Sequence, residues 1–305
     1  MSISVVITAY NEGDEVARTV ESVRAATNGP FEIILVDDGS TDNSCTAFDG
    51  PDLRLVRHAE RRGVAPSRNE GARLACGTAI AFVDAHQRLS TGCLDRCADL
   101  ALARNAIVWP DVCGIDDQSL VCHGATFRFQ PQLGFTARWM TRRPTGTASR
   151  ISALKTPGYI MPRRVFDQVR LPNALCGWGA SEAALSLKAF FLDIPILHLC
   201  GPLARHRFKT SFQYRVQSQD VARNHAALAR ICFEDRTWYE YWLPQVFAPL
   251  LTDASIQEVE TPAIRDEQRE FQRQKMRSDR DFWRWLLKRS VPESLTRAIS
   301  RPVIG

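Results

Sequence analysis

The chain opens on an apolar, β-branched run, Ser4-Val-Val-Ile-Thr8, which predicts a first strand. Ala9-Tyr-Asn-Glu-Gly13 follows as a polar turn, and Asp14 to Ala25 then carries Val16, Val20 and Val23 at helical spacing. Phe31-Glu-Ile-Ile-Leu-Val36 is almost continuously apolar, as a parallel strand covered on both faces must be. It runs into Asp37-Asp-Gly-Ser-Thr-Asp42, where two adjacent carboxylates meet turn and helix-capping residues. Leu53-Arg-Leu-Val56 predicts a third strand, Gly63 to Cys76 a helix bearing Arg68, Asn69 and Arg73, and Thr78 to Val83 a fourth strand. The order β-α-β-β-α-β with polar strand ends predicts an α/β, doubly wound nucleotide-binding half.

The fourth strand ends in Ala79-Ile-Ala-Phe-Val-Asp-Ala-His86, with Ile80 to Val83 as its buried part. If the backbone stays extended past Val83, Asp84 and His86 point to one side and Ala85 to the other. A carboxylate and an imidazole would then converge at the C-terminal end of a strand, where open α/β sheets bind ligands. One hard oxygen and one borderline nitrogen suit Mn²⁺ better than Ca²⁺. The alternative is a strand end that is merely polar.

Composition narrows the class. Apolar residues at 45% and charged residues at 24% describe an ordinary globular protein, and 305 residues suffice for one large α/β domain with or without an extension. A net charge of +5 suits anionic ligands but is too diffuse to point to nucleic acid. Nine cysteines without a regular C-x-x-C spacing speak against a disulfide framework or zinc knuckle and for a reducing compartment. A strand beginning at Ile3 leaves no signal segment, and no run of 18 apolar residues occurs, so a cytoplasmic location is expected. No G-x-G-x-x-G follows the first strand and no G-x-x-x-x-G-K-[ST] loop occurs, which excludes a dinucleotide-binding half and a P-loop. Phosphates must be met by other means, and a metal with basic side chains is the obvious substitute.

Four ordered stretches, Thr8-Ala-Tyr-Asn-Glu12, Val36-Asp-Asp-Gly-Ser-Thr-Asp42, Arg68-Asn-Glu-Gly71 and Phe82-Val-Asp-Ala-His86, resemble the nucleotide-sugar half of family 2 glycosyltransferases with the GT-A fold. The resemblance implies a mixed, mainly parallel sheet flanked by helices. Residues 1–252 would be the GT-A domain, with 1–90 the nucleotide-sugar half and 91–252 the acceptor half, and 253–305 a helical C-terminal extension. It implies that the Thr8-Ala9-Tyr10 loop and Asp37 or Asp38 hold the nucleoside, with Glu12 and Arg68 also among the substrate-binding residues. The family's D-x-D metal motif reads Asp84-Ala-His86 here, a departure that resembles the polypeptide N-acetylgalactosaminyltransferases, whose D-x-H is completed by a distant histidine. Ile194 to Phe208 predicts a strand followed by a loop, and His206 stands at the position that resembles the distant ligand. The implied cofactor is Mn²⁺ or Mg²⁺ on Asp84, His86 and His206.

Lys155-Thr-Pro-Gly158 through Phe166 resembles the glycine-containing loop and short helix beneath the donor sugar, which makes Gly158 a substrate-binding candidate. Cys176-Gly-Trp-Gly-Ala-Ser-Glu182 resembles the G-W-G-x-[DE]-D stretch at the acceptor side. Glu182 takes the second acidic position, where inverting members place their general base, while the first is Ser181. Trp178 between two glycines is expected as an exposed, sugar-facing ring. Glu182 could instead simply offset a helix macrodipole. His198, inside an apolar run, is expected to be a core histidine, and His58, His123 and His225 to be structural.

From Gln213 the chain is expected to be helical and polar, with Asn224–Phe233 and Trp238–Leu243 as C-terminal helices. Glu267 to Arg280 mixes both charges, and Phe282-Trp-Arg-Trp-Leu-Leu-Lys-Arg289 is basic and aromatic. The last stretch suits a helix packed on the domain, a peripheral membrane helix or a partner-binding helix. Pro302 to Gly305 is expected to fray. Together these readings point to a metal-dependent glycosyltransferase that takes its sugar from a nucleoside-diphosphate sugar, a UDP-sugar, and inverts the anomeric centre with Glu182 as base. A retaining D-x-H enzyme is the first rival, and a catalytically silent sugar-nucleotide-binding subunit the second. A nucleotidyltransferase fits less well, since no glycine-rich activation loop follows the first strand. The acceptor, whether saccharide, lipid-linked sugar, peptide or small molecule, is not legible.

Overall fold

The computed structural model describes residues 2–46, 48, 50–130, 134–209, 214 and 216–287. Lys288, Arg289 and Pro302–Gly305 of the predicted tail, and Gln213 at the expected start of the helical region, lie outside the described residues.

The first half follows its hydrophobic pattern closely. Strands β1 (Ile3–Ala9), β2 (Phe31–Asp37), β3 (Leu53–Arg57) and β4 (Ala79–Asp84) are parallel and ordered β3-β2-β1-β4. Helices α1 (Glu15–Ala26) and α2 (Val64–Leu74) cross between strands, and α1 buries Val16, Val20 and Val23, the residues that set its periodicity. β1, β2 and β4 are buried on both faces, which is why their sequences are apolar throughout rather than alternating.

Beyond β4 come β5 (Gln87–Leu89), α3 (Cys93–Arg104) and β6 (Ile107–Gly114), then a separate antiparallel hairpin of β7 (Ala125–Gln130) and β8 (Gly134–Trp139). β9 (Ala148–Ile151), β10 (Tyr159–Pro162), α4 (Arg163–Val169), α5 (Ser181–Phe191) and β11 (Ile196–His206) complete the sheet region. The full sheet runs β3-β2-β1-β4-β10-β6-β11-β5, with β9 also on β11. β1, β2, β3, β4, β6 and β11 point one way and β5, β9 and β10 the other, so the sheet is mixed and mainly parallel, as expected.

Three local expectations change. β4 stops at Asp84 and the chain turns at Ala85-His86, so strand alternation does not align Asp84 with His86. His206 does not lie in a loop: β11 continues to it through a bulge between Leu199 and Leu203. The helix α6 (Ser218–Cys232) is not polar but is buried over most of its last three turns, where alanines pack into the core.

After α6 the chain runs through α7 (Asp235–Thr237) into a π-helical segment, Trp238–Phe247, that contains Pro244, and then α8 (Asp253–Val259), α9 (Pro262–Gln274) and α10 (Asp279–Leu287). The aromatic face of α10 turns inward: Phe282, Trp283 and Leu286 are buried, with Phe282 stacked on Phe191 at 5.8 Å and Trp283 on Trp242 at 5.3 Å. Among the described residues no helix is long and apolar enough to cross a membrane.

Candidate active site

Backbone pairing assembles the site. Parallel register sets Thr8 beside Asp84 at the C-terminal end of the sheet. The turn after Asp84 is fixed by Gln87, whose Oε1 accepts from the Asp84 N–H at 2.9 Å and whose Nε2 donates to the Pro157 carbonyl at 2.9 Å. β11 then pairs His206 with Gln87, and the Arg207 N–H donates to the His86 carbonyl at 3.1 Å. The two imidazoles meet edge to face with centroids 4.8 Å apart, and one donor atom each from Asp84, His86 and His206 lies within 4.8 Å of the others.

The charge state of this cluster is set by its neighbours. Burial would raise the Asp84 carboxyl, but the hydrogen bond from His206 Nε2 at 3.3 Å and the charges of Arg68, His86 and His206 hold it well below the usual carboxylate range. The buried Nδ1 of His206 makes no hydrogen bond among the described residues. An ionised carboxylate, two imidazoles and an unsatisfied ring nitrogen fit a first-row divalent cation. Glu12 flanks the cluster, its Oε2 3.2 Å from His86 Nδ1, and Lys209 Nζ donates to both its oxygens at 2.6 Å. Burial acts to raise Glu12, yet His86 and Lys209 hold it below its ordinary value.

Arg68 joins this cluster to Glu182 at the start of α5. Its guanidinium is buried and donates to Asp84 Oδ1 at 3.2 Å, to Glu182 Oε1 at 2.7 Å and to the Tyr159 hydroxyl at 3.4 Å. Burial would favour loss of its proton, but Tyr159, Glu182 and Asp84 raise its pKa further above the ordinary arginine value. Glu182 comes within reach because two glycine backbones touch: Val64 N–H donates to the Gly177 carbonyl at 3.0 Å, and a Cβ on Gly63 would sit 2.4 Å from Gly177 N. α5 starts directly after this turn, with Glu182 in its first turn and Trp178 39% exposed at the cleft.

The two adjacent aspartates part company. Asp38 faces the cleft and is held by His58 Nδ1, Arg62 N–H and Gly63 N–H, each at 2.8 Å. Asp37 does not line the cleft: Oδ1 accepts from the Ser40 N–H at 2.8 Å and Oδ2 lies 3.4 Å from Arg57, so it caps its own turn. Tyr10 meets Tyr214 edge to face at 5.8 Å, and the Arg61 guanidinium lies 3.9 Å from the Tyr214 ring centroid and 5.0 Å from that of Tyr10.

These groups line one cleft of about 670 Å³. Thr8, Ala9, Tyr10, Glu12 and Asp38 stand along it, as do Arg68, Asp84, His86, Trp178, Glu182 and His206. Gly158 does not line it, although its neighbours Thr156 and Pro157 do. Its positive φ of 104° and the Ala204 side chain, 3.2 Å from where a Cβ would sit, require glycine there. The hairpin supplies an apolar wall through Phe127, Phe135 and Trp139. Sequence reading missed Gln87, Lys209, Arg61 and the role of His58, whose Nε2 also meets Glu70 at 2.9 Å. Only Gln87, directly after the Asp84-Ala-His86 stretch, carried any signal.

The putative polypeptide N-acetylgalactosaminyltransferase 13 of Drosophila melanogaster is 29% identical over 225 residues, 66% of this chain and 39% of that protein. The uncharacterized glycosyltransferase YibD of Escherichia coli K12 is 41% identical over 88 residues, 27% of this chain and 25% of its own. The chain spans less than half the length of these curated relatives. The crystal structure of GalNAc-T7 with UDP, GalNAc and Mn²⁺ superposes with a TM-score of 0.65 at 20% identity, over 87% of this chain and 55% of the other. Staphylococcus aureus TarS in complex with UDP-GlcNAc does so with a TM-score of 0.53 at 16% identity, over 85% of this chain and 78% of the other. These likenesses show the shared GT-A fold. The model of Glycosyl transferase family 2 matches residues 4–168, more than half of the sequence, and the chain belongs to that family.

Proposed function

We propose that the chain transfers a sugar from a nucleoside-diphosphate sugar, a UDP-sugar, to an acceptor in the cleft, with a divalent cation on Asp84, His86 and His206. The observation that carries this reading is the convergence of one carboxylate and two imidazoles within 4.8 Å at the C-terminal end of β4. The similarity to proteins solved with UDP, GalNAc and Mn²⁺ or with UDP-GlcNAc supports it. On this reading residues 1–90 hold the donor, 91–252 frame the acceptor, and 253–305 form an extension.

Asp38, fixed by three hydrogen bonds, receives the nucleoside beside Tyr10. When bound, Mn²⁺ or Mg²⁺ supplies charge neutralisation for the departing diphosphate. Arg68 adds a buried positive charge on the same side, where low dielectric strengthens it. Glu182 takes the acceptor proton as the acceptor oxygen attacks the anomeric carbon, which inverts that centre. Trp178 and the Phe127, Phe135 and Trp139 wall cover the sugar and acceptor faces.

One observation favours a second, retaining reading: Glu182 Oε1 already accepts from Arg68 at 2.7 Å, so that oxygen is engaged rather than turned to an acceptor hydroxyl. In that reading the diphosphate oxygen assists the acceptor. UDP release from a panel of nucleotide sugars, with and without Mn²⁺, tests the donor. NMR of the fresh product anomer separates inversion from retention.

A further inference from the structure

Away from the cleft residues treated so far, Asp111, His123, His198 and Cys200 form a second group of ligand-type side chains. All four are buried, and one donor atom from each lies within 4.8 Å of the rest. Three segments supply them. Asp111 stands on β6, His123 just ahead of β7, and His198 and Cys200 on β11. His198 and Cys200 are two residues apart on β11, and Cys200 Sγ lies 3.8 Å from His198 Nδ1. The β11 bulge does the rest: residues 200–202 are the excess between the Leu199↔Pro110 and Leu203↔Asp111 pairs, and Gly201 N–H is brought 2.8 Å from Asp111 Oδ2.

We propose that Asp111, His123, His198 and Cys200 form a closed, structural site for a borderline-soft divalent cation, Zn²⁺. The donor set is one thiolate, two imidazoles and one carboxylate, each an ordinary zinc ligand, and four protein ligands leave no position for substrate. A thiolate and a carboxylate also balance the ion's two charges, which a buried site requires. The thiolate separates this site from the sulfur-free set at Asp84, His86 and His206, which hard or borderline ions suit better.

In the structure the ligands are bonded to one another. Asp111 Oδ1 accepts from His123 Nδ1 at 2.6 Å and from His198 Nε2 at 2.7 Å, and Cys200 Sγ is 3.8 Å from His198 Nδ1. Tetrahedral Zn²⁺ with bonds of about 2.0–2.1 Å places neighbouring nitrogen and oxygen ligands ~3.3 Å apart, so the two contacts open by roughly 0.6 Å. Each ring proton facing Asp111 moves to the other nitrogen of its ring, and the Cys200 thiol proton is released to solvent as the Zn–S bond forms. Gly201 N–H keeps its bond to Asp111 Oδ2 and orients the carboxylate, as outer-shell donors do.

Such a site would pin the acceptor wall. His123 N–H donates to the Met140 carbonyl at the base of the β7–β8 hairpin, and Trp109, paired with His198 on the neighbouring strand, stacks on Trp139 of the cleft at 5.4 Å.

The test is cobalt and zinc loading of the full chain in a His86→Ala/His206→Ala background, which removes the proposed cleft ligands. We expect one tight Zn²⁺ per chain by elemental analysis, a thiolate-to-Co²⁺ absorption band on cobalt substitution, and a higher melting temperature with Zn²⁺ than with chelator. Adding Cys200→Ser should abolish the band, and adding His123→Gln should reduce zinc stoichiometry, with circular dichroism in chelator reporting the fold of each. No thiolate band in the parent background, or a band and stoichiometry unchanged in both variants, overturns the site.

Discussion

Arg68 carries more of the site than its place in the sequence suggests. A buried guanidinium bridges Asp84 and Glu182, so its removal takes away the positive charge that both carboxylates face. Arg68→Ala should therefore destabilise the fold by about 3–5 kcal/mol in chemical denaturation. Arg68→Lys should recover part of that loss but not the forked geometry. Glu182→Gln should lower kcat about 10²–10⁴-fold with little change in donor affinity if Glu182 is the base. An unchanged kcat would move the chemistry to the retaining reading. His225 offers a separate test: burial pushes its imidazole down to about 4, so it is neutral in the fold and chargeable in the unfolded chain. Stability from this group is complete above the unfolded value and is lost as pH falls from about 6.5 through 4, on the order of 3 kcal/mol. His225→Gln should show a correspondingly smaller loss between pH 7 and pH 4 than wild type; an equal loss would contradict the assignment. Which of Asp37 and Asp38 faces the cleft was not legible, because adjacent residues leave a strand in opposite directions and sequence does not fix the face. His58 carried no signal, since its role depends on Glu70 arriving from α2.

The elements divide along the same line between local and distant information. β1, β2 and β4 and the helices α1 and α2 were readable because parallel strands buried on both faces are apolar throughout and crossover helices keep a 3.6-residue stripe. β10, β6 and β11 pair across long stretches of chain, and their order follows from contacts no local pattern encodes. The β11 bulge and the turn after Asp84 belong to this second kind: both re-aim side chains that alternation would have sent elsewhere. Gln87 holds that turn from inside, so Gln87→Ala should weaken Mn²⁺ binding about 10–100-fold while the sheet remains intact. Calorimetric titration of Mn²⁺ checks it. The basic, aromatic tail was open among three roles, and α10 resolves part of it by burying Phe282, Trp283 and Leu286. Phe282→Ala should cost about 3–5 kcal/mol in denaturant unfolding, as removal of a fully buried aromatic does. A cost near zero would mean that α10 is only loosely applied.

At the scale of the molecule, one cleft receives groups from the loop after β1 to the segment after β11, so it forms only when these distant segments fold together. The four ordered stretches all fall before residue 87, while the apolar wall of the cleft comes from the β7–β8 hairpin, for which the sequence offered no reading. The central claim is that Asp84, His86 and His206 hold the cation on which donor binding depends. Titration of UDP in the presence and absence of Mn²⁺, on wild type and on His206→Ala, tests it most directly. Outer-shell changes alone cost about 10–100-fold in metal affinity, so loss of a ligand should weaken Mn²⁺-dependent UDP binding by at least ~100-fold with the circular dichroism spectrum unchanged. Equal, Mn²⁺-dependent UDP affinity in the folded His206→Ala variant would contradict the account.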